Sequence, residues 1–99
     1  MQMNRLKATE KEKKLESLPN IGKTIADKIR KIGIKDADEF SKQDPYAVFE
    51  KLKRKYPNMC RCTLAAIVGA KKGVKWHLIT KKTAKKYEKM HPDVKWDNC

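Results

Sequence analysis

Three stretches of the chain carry apolar residues at the spacing of a helix, and a fourth reads as a basic helix. The first is the stripe Ile25, Ala26, Ile29 and Ile32, with Pro19-Asn20-Ile21-Gly22 as a tight break ahead of it and Gly33 as a C-terminal cap. Leu15 and Leu18, before the break, mark the end of a preceding helix that Thr9 caps and that runs from about Glu10 to Ser17. The second stretch opens at Asp44-Pro45, an N-cap followed by a proline at the first helical position, and sets Tyr46, Phe49, Leu52 and Tyr56 on one face. The third, from Met59 to about Lys72, is apolar nearly all round through Leu64, Ala65, Ala66, Ile67, Val68 and Ala70, so it should be the most buried helix. The fourth runs from a Thr80 cap to about Met90 and is stopped by His91-Pro92. Between them lie a short acidic helix at Asp36–Phe40, burying Ala37 and Phe40, and a connector at Val74–Ile79 that Trp76 anchors beneath the last helix. No strand pattern is present. The expectation is an all-α protein of five or six short helices, with a partly frayed segment at 1–14, the domain at 15–90 and a tail at 91–99.

The break at Pro19–Gly22 carries candidate chemistry. A helix N-terminus leaves backbone N–H groups unpaired and bears a partial positive charge, so an anion can sit there. Gly22 lets a phosphate reach the backbone without meeting a side chain, and Lys23 adds a cation at the same place. Asn20 tolerates the left-handed backbone that such a corner needs. The same residues also suit a hairpin that merely packs a core. Leu18, Pro19, Ile21, Gly22, Lys23, Ala26 and Ile29 resemble the helix-hairpin-helix motif, Leu-Pro-Gly-Ile-Gly followed by an Ala-x-x-Ile helix. That motif is a non-sequence-specific DNA-binding element. The chain departs from it at Asn20, where the first glycine belongs.

An echo follows at a shift of 38 positions, which lays Pro19-Asn20-Ile21-Gly22-Lys23 over Pro57-Asn58-Met59-Cys60-Arg61. The shift also sets Leu18 on Tyr56, Ala26 on Leu64 and Ile29 on Ile67. A single or tandem helix-hairpin-helix core follows from the resemblance. The second tip has Cys60 in place of Gly22, which would crowd a phosphate. Pro-Asn is also a common helix opener, so a chance match stays open.

Charge sharpens the picture. The chain has 99 residues and a formal net charge of +13, which favours a polyanionic partner, nucleic acid before an acidic protein. The excess is +2 over residues 1–16, +4 over 17–57 and +7 over 58–99, so the second half is the stronger electrostatic attractor. Lysine-rich helices are also ordinary solvated faces. No apolar run approaches a membrane span and the N-terminus has no signal-peptide core, so no membrane role and a cytoplasmic location are expected. Three cysteines without a secretion signal predict no disulfide framework.

The second half carries a further resemblance. Leu64-Ala65-Ala66-Ile67-x-Gly69-Ala70-x-x-Gly73-x-x-Trp76-His77-x-Ile79 looks like the C-terminal domain of TfoX/Sxy competence regulators. The resemblance covers about Leu15 to Met90. It implies a small all-α module with a DNA- or protein-binding role and no known chemistry. The N-terminal domain usual in those regulators is not in this chain.

Enzymatic and metal readings find little support. Cys60-x-Cys62 lacks the Cys-x-x-Cys knuckle spacing, and residues two apart on a helix point in different directions, so Cys60, Cys62, Cys99, His77 and His91 predict no metal site. No nucleophile has a recognisable base and no phosphate loop is present, so no enzyme and no cofactor are expected. The expected function is a sequence-tolerant DNA-binding module that contacts backbone phosphates and does not read base edges, with double-stranded DNA as the expected partner. Its candidate residues are Asn20, Ile21, Gly22, Lys23, Thr24, Lys28, Arg61, Lys71, Lys72 and Lys75. The alternative is a protein-interaction module whose basic face meets an acidic partner.

Overall fold

The structure, a computed structural model, describes residues 14–96. Five α-helices are formed: α1 (Lys23–Lys31), α2 (Ala37–Ser41), α3 (Pro45–Lys55), α4 (Arg61–Lys72) and α5 (Thr80–Met90). Two 3₁₀ turns, Leu15–Ser17 and Trp76–Leu78, complete the regular structure, and no strand occurs among the described residues.

Local chemistry sets most of the boundaries. Asp36 Oδ1 accepts a hydrogen bond from the Glu39 N–H at 2.9 Å, while Glu39 Oε1 accepts one from the Lys35 N–H at 2.8 Å. This reciprocal arrangement, close to a capping box, starts α2. Asp44 caps α3 by accepting from the Tyr46 N–H at 3.2 Å, with Pro45 behind it. Gly33, at φ +98°, ends α1 with paired bonds from Ile34 N–H to Ile29 O and from Gly33 N–H to Arg30 O, a Schellman closure.

Two expected boundaries are corrected. Glu10 to Lys13 lie outside the described residues, and what precedes Pro19 is one 3₁₀ turn followed by Leu18 in an extended conformation. Pro19 disfavours a helical Leu18, which accounts for the stop. Thr80 does not cap α5 from outside; it is the first helical residue, Ile79 takes the cap position, and the Thr80 hydroxyl donates to the Trp76 carbonyl at 2.9 Å.

The core is built around α4, in which all seven residues from Leu64 to Ala70 are buried. α3 packs against it, as do α5 and the second 3₁₀ turn. A Cβ on Gly69 would collide with the Val74 carbonyl oxygen and the Asn20 side-chain amide. Glycine at this position therefore lets the connector and the Asn20 turn lie directly on α4.

The expected role of Trp76 is corrected. Trp76 is 40% exposed rather than a plug of the core. Trp96 lies 5.7 Å from Tyr87 and 6.0 Å from Phe49 between ring centroids, and its Nε1 donates to Glu88 at 2.9 Å. A turn closed by Val94 N–H to His91 O brings it there.

Candidate nucleic-acid interface

The two Pro-Asn breaks share a backbone design. Ile21 N–H bonds to Leu18 O at 3.3 Å, and Met59 N–H bonds to Tyr56 O at 3.0 Å. Ile21 and Met59 are both buried. Gly22 and Cys60 then cap α1 and α4 in the same extended conformation, neither with a side-chain cap bond. The turns differ at one residue: Asn20 has φ 68° and is the one non-glycine with positive φ among the described residues. Proline followed by a left-handed residue is the pattern of a type II turn.

Asn20 does more than stand in for glycine. Its Nδ2 donates to the Val74 carbonyl at 2.7 Å and to the Ala66 carbonyl at 3.5 Å, and its Oδ1 accepts from the Trp76 N–H at 3.2 Å. One side chain thus clasps the first tip to α4 and to the connector. Local sequence pattern gives no sign of this, since the partners lie 46 to 56 positions away. The paired signal, visible only afterwards, is a glycine inside the otherwise apolar α4.

The candidate residues fall into distinct environments. Gly22, Lys23 and Thr24 are exposed at the start of α1. The Ile21 side chain is buried at 4% exposure, so only its backbone is offered at the tip. Asn20 has its amide committed to the clasp. Lys28 is half-buried, with Nζ 5.0 Å above the Tyr56 ring. Arg61 is half-buried at the start of α4. Lys71, by contrast, donates to the carbonyls of Ser41 and Gln43, which ties it to the end of α2. Lys72 and Lys75 are exposed, and Lys75 adjoins the residue that bonds Asn20. The fold therefore gathers Gly22–Thr24 with Lys75, while Lys71 and Lys72 sit at the far end of α4 from Arg61, about 16 Å along the helix.

Acidic groups lie mainly around α1 to α3. Lys23 faces Asp27 at 3.8 Å, and Arg30 makes two bonds to Glu16, at 3.0 and 2.6 Å, plus one to Asp27 at 3.1 Å. Hydrogen bonding to Arg30 lowers the Glu16 pKa from 4.5 to about 2. The same bond raises that of Arg30. From Lys51 to Tyr87, in contrast, the chain holds twelve Lys and Arg and no Asp or Glu. Lys72, Lys75, Lys81, Lys82, Lys85 and Lys89 form no ion pair among the described residues.

No group of His, Cys, Asp and Glu suited to a metal ion occurs among the described residues, and no helix among them is long and apolar enough to cross a membrane. Cys62 is a free thiol.

Two tips of common design, packed on one buried helix beside a cationic surface, define a small all-helical domain. The chain belongs to the TfoX C-terminal domain family, whose model matches residues 11–89. The family is of a regulatory type rather than a known enzyme family, compatible with a regulatory or DNA-related module. A crystal structure of an uncharacterized protein from Listeria monocytogenes, in a triclinic form, is similar to this chain. It is 28% identical, covers 77% of this chain and 91% of the other, and has a TM-score of 0.68. No curated protein matches the chain.

Proposed function

We propose that the domain is a sequence-tolerant DNA-binding module that holds backbone phosphates at the start of α1, in the manner of a helix-hairpin-helix. One observation carries this reading: Gly22 is a glycine that neither the backbone nor the packing requires. Its φ is −93° and ψ −175°, an extended conformation open to any residue. A Cβ there meets nothing within 4 Å. Asp, Asn or Ser at this cap position would stabilise the helix by a few tenths of a kcal/mol more, and the bare backbone leaves room for an incoming anion. Exposed Lys23 follows Gly22 directly and exposed Lys75 precedes the residue that bonds Asn20, so both add positive charge near the tip.

A titration of duplex DNA across salt tests the reading. The logarithm of the affinity is expected to fall linearly with log salt, with a slope of about −0.9 for each phosphate engaged. Failure to bind at low salt overturns it. A second reading, an acidic protein partner, draws on Leu78, which is 68% exposed among lysines. Binding of poly-glutamate in preference to duplex DNA would favour that partner.

A further inference from the structure

We propose that Trp76 is a stacking platform for an unpaired nucleobase, so that the domain prefers duplex DNA interrupted by a short single-stranded gap. The inference rests on the phosphate-binding reading of the Gly22 tip and adds the form of DNA preferred. Trp76 is exposed although Trp96 shows that this chain can pack an indole against its aromatic core. Its backbone is held at both ends. The N–H donates to Asn20 Oδ1 at 3.2 Å, and the carbonyl accepts from Ile79 N–H at 3.1 Å and from the Thr80 hydroxyl at 2.9 Å. The ring stands edge-on to His77, with centroids 5.8 Å apart.

A platform on a held backbone has less freedom to lose when a ligand stacks on it. Beside the ring is a shallow cleft of about 180 Å³, lined in part by Ile25, Thr63 and Ala66. This is smaller than the roughly 300 Å³ at which pockets for whole small molecules begin, and so suits one ring edge. Lys75 precedes the tryptophan and the acid-free segment surrounds it. An aromatic face set among unpaired cations is the combination that single-stranded nucleic acid binds. Bases stacked within an intact duplex do not offer their faces, so only an unpaired base can use the ring.

The test is fluorescence anisotropy with a labelled blunt duplex and the same duplex carrying a three-nucleotide gap, at one low salt concentration. Stacking of one base predicts that the wild type binds the gapped form at least about fivefold more tightly. Trp76→Ala should erase that preference and leave blunt-duplex affinity within about twofold, while Trp76→Phe keeps most of it. Circular dichroism checks that the variants are folded. Equal binding of the two duplexes by the wild type, or an unchanged preference in Trp76→Ala, overturns the stacking role and leaves the phosphate reading standing. Binding to neither duplex overturns both. A Trp76→Ala loss confined to poly-glutamate assigns the ring to an acidic protein and also overturns the proposal.

Discussion

The two Pro-Asn tips share a closing hydrogen bond and an extended cap residue, but differ in the turn itself and in their chemistry. At the first, the left-handed turn directs the Asn20 amide inward to three backbone groups and leaves Gly22 bare. At the second, Lys53 Nζ donates to the Pro57 carbonyl at 2.7 Å and to the Met59 carbonyl at 3.1 Å, and the cap is the half-buried Cys60. Tyr56 carries Lys28 and Lys55 over its ring, at 5.0 and 5.9 Å. One corner is fastened from within and open on its outer side. The other keeps Asn58 exposed, but its carbonyls are taken by Lys53 and its cap carries a half-buried side chain. A shared Pro-Asn sequence therefore implies neither a shared turn nor a shared use.

The largest effect is expected where the first tip is fastened. Gly69→Ala forces a methyl group against Val74 and Asn20, and overpacking of this kind costs about 1–3 kcal/mol. A chemical denaturation midpoint that does not move would show that the clasp is loose. Asn20→Ala leaves the Val74 carbonyl and the Trp76 N–H without that partner and places alanine at positive φ, for a loss of about 2 kcal/mol. Asn58→Ala, at the exposed second tip, should change stability by less than about 0.5 kcal/mol. Equal losses at the two asparagines would abolish the contrast.

The tryptophans offer a parallel comparison. Trp96→Ala removes contacts with Phe49 and Tyr87 and should lower stability by about 2 kcal/mol, whereas Trp76→Ala should be nearly neutral in thermal melts.

The smallest effect concerns the approach to the first tip. Because the folded pKa of Glu16 is depressed, its bond to Arg30 contributes stability above the ordinary 4.5, and that contribution is lost as pH falls toward about 2. Both side chains are about a third exposed, so the effect is modest. Melting temperatures of wild type and Glu16→Gln should converge as pH is lowered through this window; a constant difference would contradict the pairing.

Much of the fold could be read along the chain because it rests on local rules. Asp36 and Asp44 cap their helices, Gly33 and Gly73 take the left-handed region, and the apolar run at 64–70 is the buried centre. The left-handed turn at Asn20 was likewise legible, since few other residues accept that conformation. What was not legible depends on partners far away in sequence. Asn20 reads as a turn residue until Val74 and Trp76 are seen beside it. Lys71 reads as a free cation until the end of α2 reaches it. Trp76 is exposed and Trp96 packs on Phe49 and Tyr87 because an indole's burial is decided by where the chain returns, not by its neighbours in sequence.

Gly22→Asp compared with Asn58→Asp in duplex DNA binding at low salt is the most direct measurement. Both substitutions add one negative charge at an exposed tip, and aspartate at the Gly22 cap position should leave stability unchanged or slightly raised. The account predicts a loss of about tenfold or more for Gly22→Asp, the worth of a charge-assisted hydrogen bond, and about twofold for Asn58→Asp. Equal losses at the two tips, or undiminished binding by Gly22→Asp, would contradict it.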